Sequence, residues 1–151
     1  MMLTALTIFH VLLSLVGIAA GLIVLYGFLT SKPSPLTQLF LWTTVATSVT
    51  GFFFPFHGMT PGIVVGILSL IVLALAIRAR ARWTKTYVIA SMIALYFNVF
   101  VLIVQSFEKV PALTALAPTQ SEPPFQIAQG ILLLIFIILT TRAVMKYHPR
   151  S

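Results

Sequence analysis

The chain contains no cysteine and only two acidic residues, Glu108 and Glu122. Without thiols there are no disulfides, no thiolate-bound metals, no iron–sulfur clusters and no thiol redox chemistry. That absence leaves the compartment open. Charged residues of every kind are scarce, 7% of 151 positions, where a soluble domain carries about a quarter. No Asp, Glu, Lys or Arg interrupts a hydrophobic run until Arg142, near the inner end of the last one. Pumps and ion carriers rely on carboxylates or charged relays inside the membrane, so this scarcity argues against both.

What is present is apolar. Hydrophobic residues make up 60% of the chain, more than one small core can hide, so lipid must act as solvent. A spanning helix needs roughly 20 mostly apolar residues. Five segments qualify: 5–29, 36–54, 61–77, 86–107 and 125–145. The expected fold is an all-α integral membrane protein, a single domain over 1–151 built as a bundle of about five transmembrane helices. The first run lacks a positive flank and a separate cleavage pattern, which reads as a retained span. The third is the shortest. Were it re-entrant, the basic loop after it and the C-terminus would fall on opposite sides.

Eight of the nine Lys and Arg residues follow alternate runs. Lys32 follows the first, Arg78, Arg80, Arg82 and Lys85 the third, and Arg142, Lys146 and Arg150 close the fifth. Only Lys109 lies on the other side, with both acids. Cytoplasmic loops collect Lys and Arg, so the expected orientation is N-terminus outside and C-terminus cytoplasmic. Tyr26, Trp83, Tyr87 and Tyr147 then fall at the inner interface, where aromatic rings prefer to sit. The net charge of +7 is accounted for by this topology and by anionic headgroups, not by nucleic acid.

The breaks carry their own chemistry. Ser31-Lys32-Pro33-Ser34-Pro35 stops one helix and starts the next, because proline lacks a backbone donor. Pro55 to Pro61 reads as a tight outer hairpin, with Thr60 as N-cap and Pro61 at the first helical position. The outer loop from Glu108 to Pro124 holds a Pro-Ala-Leu-Thr-Ala-Leu stretch from Pro111 that reads as one or two helical turns on the membrane surface.

Two patterns speak to packing. Gly17 with Gly21, and Gly62 with Gly66, place glycines four apart on one helix face, which lets a second backbone approach. Packing within this bundle is the first reading and a docking face for another subunit is the second. Thr43, Thr47 and Thr50 share one face of the second span, and helical hydroxyls ordinarily bond to their own preceding carbonyls. Ser91, Asn98 and Gln105 recur every seven residues, and amides on one face avoid lipid and point into the bundle or at a partner.

Chemistry, if any, gathers on the outer half. His10, His57, Asn98, Gln105 and Glu108 are the candidate ligand-binding residues, suited to a quinone headgroup or to a metal such as zinc or copper. No HxxxH, HxxH or HxxE spacing supports a metal. Haem b ordinarily takes two inward histidines at similar depth, and only His10 lies within a span. His148 belongs to the basic tail.

The blocks Thr43-Thr-Val-Ala-Thr-Ser-Val-Thr-Gly-Phe-Phe-Phe-Pro-Phe-His57 and Ala117-Pro-Thr-Gln-Ser-Glu-Pro-Pro-Phe125, with Ala94-Leu-Tyr-Phe-Asn-Val-Phe-Val-Leu-Ile-Val-Gln105, resemble a family of small, uncharacterised multi-pass inner-membrane proteins of bacteria. The resemblance implies an all-helical fold in the bacterial cytoplasmic membrane and carries over no catalytic role. That family's pattern often has histidine where this chain has Ile63, which weakens a metal site built on His57.

The leading expectation is a non-enzymatic accessory, assembly or stabilising subunit of a membrane complex. Its partners would be the lipid bilayer and another membrane subunit or further copies of itself. A redox or ligand-binding protein (quinone, metal or haem) with an outer-half site is the alternative. A carrier of a small neutral solute is the third.

Overall fold

The structure, a computed structural model, describes residues 2–53, 61–80 and 82–147. The described residues are all-helical, with no strand: α1 (Met2–Thr30), α2 (Thr37–Gly51), α3 (Pro61–Ala79), α4 (Thr84–Lys109), α5 (Pro111–Leu116) and α6 (Pro123–Lys146). Three helices are long and apolar enough to cross a membrane, over Thr4–Thr30, Thr84–Lys109 and Pro123–Lys146. The apolar part of α3, Ile63–Ala79, is shorter. Helix α2 has 15 residues, about 22 Å at 1.5 Å per residue, against a hydrocarbon core of about 30 Å. The expected hairpin from Pro55, its Thr60 cap, His57, His148 and Arg150 lie outside the described residues.

The α1–α2 break is made by hydrogen bonds as well as by proline. Ser31 adopts a left-handed φ of 56°. Its N–H then donates to the Phe28 carbonyl at 3.3 Å, and the Lys32 N–H to the Gly27 carbonyl at 2.9 Å. This pair of bonds satisfies carbonyls that a helix end otherwise leaves orphaned. A side chain on Gly27 would meet the Lys32 carbonyl oxygen at 2.6 Å, so that turn requires glycine there. Two residues on, the Ser34 hydroxyl accepts the Leu36 N–H at 3.1 Å, and the Thr37 hydroxyl donates back to the Ser34 carbonyl at 2.9 Å.

At the other end, α5 folds back on α4. The Thr114 hydroxyl donates to the Phe107 carbonyl at 2.7 Å, Gln120 Nε2 reaches the Val104 carbonyl at 3.2 Å, and Phe107 meets Phe125 edge-on at 5.3 Å. The Glu122 carboxylate accepts from the Thr119 hydroxyl at 2.6 Å and from the Thr119 and Ser121 N–H groups at 3.1 and 3.2 Å. These bonds, led by the Thr119 hydroxyl, hold its pKa below the ordinary value. The loop is therefore tied fully at neutral pH and loosens as pH falls through the depressed folded value. Thr119→Val is expected to move the Glu122 midpoint back up toward that of a free carboxylate, read by NMR titration of the side chain.

Helix α4 is the hub. It touches each of the other five helices, while α3, α2, α1 and α6 follow one another around it. Its buried positions, among them Tyr87, Val88, Ala90, Met92, Ala94 and Leu95, face several sides in the half that starts at Thr84. Helix α6 is peripheral. Its buried residues are Leu132, Phe136 and Ala143, and the apolar side chains between them, such as Leu134 and Ile137, face outward. In lipid such exposure costs nothing, because chains of lipid are as apolar as leucine. What holds α6 is packing, with Phe136 against Tyr96 and Tyr147 against Phe28.

Candidate functional site

The hydroxyl-rich helix α2 bonds first to itself. Thr43, Thr44, Thr47 and Thr50 donate to the carbonyls of Leu39, Phe40, Thr43 and Ala46 at 2.6–2.8 Å. Each hydroxyl has one proton, so its oxygen remains free to accept. Two of these oxygens meet a partner on another helix. Asn98 Nδ2 on α4 donates to Thr44 Oγ1 at 3.2 Å, and His10 Nδ1 on α1 sits 2.7 Å from Thr50 Oγ1. When the Thr50 proton is directed at Ala46, Nδ1 donates in the tautomer that carries the proton there; in the other tautomer it accepts from the hydroxyl instead. With Nδ1 as donor, both contacts are short relays, from amide or imidazole through a threonine hydroxyl to a backbone carbonyl.

The glycines make room for these relays. A side chain on Gly17 would meet Thr43 Oγ1 at 3.1 Å and Thr44 Oγ1 at 3.3 Å, with Asn98 Nδ2 at 3.7 Å. On Gly21 it would meet Leu95 Cδ1 at 2.6 Å and the Phe40 ring at 2.9 Å. This face of α1 is occupied by α2 and α4 of the same chain. On α3, Gly66 faces Phe52, whose ring lies 3.0 Å from the position of an added Cβ. The surroundings of Gly62 lie outside the described residues.

The candidate ligand-binding residues therefore separate. His10 pairs with Thr50 and Asn98 with Thr44, two positions about 9 Å apart along α2. Gln105 is half-buried and Glu108 exposed, and neither hydrogen-bonds to His10 or Asn98 among the described residues. His57 falls outside them. Among the described residues no group of three His, Cys, Asp or Glu side chains is placed to hold a metal ion. The seven-residue stripe does face inward, since Ser91 and Asn98 are buried. Gln129 is an addition that periodicity did not single out. Its Nε2 reaches the Phe100 carbonyl at 3.3 Å and joins α6 to α4.

A double-mutant cycle tests the His10 relay. His10→Leu and Thr50→Val are expected to couple by about 0.6–1.7 kcal/mol, the range for hydrogen bonds between helices in lipid, measured by reversible unfolding in mixed micelles. A coupling of zero would mean that the ring does not engage Thr50.

Sequence reasoning did not assemble the site at the basic end. Pro33, Thr37, Arg80, Thr84, Tyr87 and Tyr147 line a pocket of about 110 Å³. It lies where the α1–α2 turn, the end of α3, the start of α4 and the end of α6 converge. Phe28 packs edge-on against two of these residues, Tyr87 at 5.6 Å and Tyr147 at 4.9 Å. The clue was the pairing of tyrosines with basic segments. Nothing local says that segments so distant in the chain share one cavity. No family model, curated protein or solved structure matches this chain.

Proposed function

We propose that this is a multi-pass protein of the bacterial cytoplasmic membrane, acting as a non-enzymatic accessory, assembly or stabilising subunit of a membrane complex. The observation that carries the reading is the pairing of two interior polar side chains, Asn98 and His10, with threonines of α2. Asn98 is spent on Thr44 and His10 engages Thr50, so these side chains join helices. They do not converge on a shared substrate position. Such ties stabilise a bundle for which apolar attraction between helices is absent.

The reading includes five spans, with the N-terminus outside and the C-terminus cytoplasmic. Support comes from charge and length together. Arg80 lines one pocket and Lys32 and Lys146 adjoin residues that line it, and Arg78, Arg82 and Lys85 lie near them in the chain, so cations gather at one end of the bundle. Glu108, Lys109 and Glu122 lie at the other. Loops rich in Lys and Arg stay in the cytoplasm. The turns at each end of α2, from Ser34 to Thr37 and from Val49 to Phe53, extend its apolar path beyond the regular helix.

Two experiments test this reading. Purification of the tagged chain in mild detergent, with cross-linking beforehand, is expected to bring down larger membrane proteins in fixed ratio. A monodisperse single chain in every detergent and in nanodiscs would count against the subunit reading. The chain has no cysteine, so Arg82→Cys and Thr119→Cys can be labelled singly in intact cells. Only Thr119→Cys is expected to react with an impermeant thiol reagent. The reverse pattern would invert the topology.

A further inference from the structure

The pocket at the basic end is a built cavity whose polar lining is all hydroxyl and guanidinium. Its volume of about 110 Å³ is several times the roughly 10–15 Å³ that one water requires. Tyr147 is 8% exposed and lines the pocket. A phenol at this place can donate its proton to a group that enters the pocket. Burial pushes the Tyr147 phenol above its ordinary pKa, against the pull of Arg80, so it stays neutral and able to donate. Tyr87, 4% exposed, presents a second ring to the same space, and Thr37 lies beside its hydroxyl.

Arg80 supplies the charge. Glu108 lies in the last turn of α4 and Glu122 at the N-cap of α6, at the opposite end of the bundle, so no Asp or Glu side chain competes for the guanidinium here. Thr84 opens α4, and no side chain caps that helix start. Its first N–H groups add partial positive charge toward the pocket. Lys32 and Lys85 adjoin lining residues in the chain, and Arg82 follows two residues after Arg80. A ligand for this lining must accept several hydrogen bonds and carry negative charge, which is the chemistry of a phosphate group. The pocket also lies where helices leave the apolar layer, the level of lipid headgroups.

We infer that this pocket binds a phosphate group, and that an anionic phospholipid of the adjacent leaflet carries it. Arg80 holds the phosphate oxygens, Tyr147 donates to one of them, and the neighbouring cations favour an anionic headgroup over a zwitterionic one. The lipid source rests on the membrane reading above. The phosphate chemistry does not, and soluble phosphate is the other source of the same group.

Native mass spectrometry of the full-length protein, loaded with phosphatidylglycerol or phosphatidylcholine, tests the inference. The wild-type chain is expected to retain a single phosphatidylglycerol in preference to phosphatidylcholine. Arg80→Gln is expected to weaken that retention about tenfold, the effect of losing one charge-assisted hydrogen bond. Tyr147→Phe is expected to weaken it less, and Arg78→Gln, which does not line the pocket, to leave it unchanged. All variants are first matched to wild type by thermal unfolding in phosphatidylcholine. A second arm adds inorganic phosphate against chloride at equal ionic strength. If phosphate alone protects wild type but not Arg80→Gln, and lipid retention ignores Arg80, the phosphate site stands and the lipid source is wrong. If Arg78→Gln weakens binding as much as Arg80→Gln, or no arm distinguishes Arg80→Gln from wild type, the inference is overturned.

Discussion

Gly21→Leu is expected to cost about 3 kcal/mol or to prevent the bundle from assembling. The reason is space. An added Cβ would lie 2.6 Å from Leu95 Cδ1 and 2.9 Å from the Phe40 ring. Both neighbours are fully buried, so neither has room to retreat. Overpacking a close-packed interior costs about 1–3 kcal/mol, and a whole isobutyl group lies at the upper end. Lipid offers no compensation, since an added leucine gains nothing by leaving it. The glycines form a graded series. Gly17→Ala meets two threonine hydroxyls at 3.1 and 3.3 Å, which asks for a shift of a few tenths of an ångström and disturbs the Asn98 relay. Gly130→Ala meets nothing within 4 Å and is expected to stabilise by up to about 1 kcal/mol, the helix-propensity gain over glycine. Intrinsic fluorescence from Trp42 and Trp83 during unfolding in mixed micelles ranks the three. If Gly21→Leu unfolds with Gly130→Ala, α1 does not approach α2 and α4 through this face.

The helices themselves were legible. Long apolar runs broken by proline-bearing segments mark α1, α4 and α6 to within a few residues, because spanning length and backbone chemistry are local properties. Even the short α5 was visible, from Pro111 at its first position. The start of α2 was legible to one residue, expected at Leu36 and found at Thr37, but the turn that sets it was not. A turn built on Ser31, Gly27 and Ser34 sets that entry. Its signal was a serine in a left-handed conformation, a position where glycine is the usual marker.

The interior polar groups were legible as a face and not as pairs. Spacing by seven put Ser91, Asn98 and Gln105 on one side of α4. It did not say that Asn98 would choose Thr44, because Thr43, Thr47 and Thr50 offer the same chemistry on the same helix. Crossing geometry decides that choice, and crossing geometry comes from where Gly17 and Gly21 let the backbones approach. Grouping His10, Asn98, Gln105 and Glu108 by depth left the angular coordinate open, and in the structure His10 meets Thr50 while Asn98 meets Thr44. They share a half of the bundle but face different neighbours. The pocket around Arg80 was hidden for a related reason, since Pro33, Thr84 and Tyr147 meet only after α6 has docked on α1.

That docking makes Phe28 the second sensitive position. Phe28 is buried and stands between Tyr87 and Tyr147, edge-on to both, at 5.6 and 4.9 Å. Its ring therefore joins α1 to the start of α4 and to the end of α6 at once. Phe28→Ala removes the ring and leaves a cavity beside Tyr87 and Tyr147. In a soluble core that change costs about 3–5 kcal/mol, transfer and cavity terms together. Here the unfolded reference is still in lipid, so the transfer term shrinks while the lost packing remains, and the expected cost is about 2–3 kcal/mol. The loss should be uneven. Helix α6 is held by few buried residues, and Tyr147 is the one that fixes its end. Backbone amides at the end of α6, near Tyr147, are thus expected to exchange with solvent faster in Phe28→Ala than in wild type, while those around Asn98 in α4 keep their protection. Phe28→Leu, which refills most of the volume without an aromatic edge, should recover most of the stability but not the fixed geometry of Tyr147. Uniform loss of protection across the bundle would instead make Phe28 a general core residue, and the end of α6 would then be held by something other than this aromatic triad.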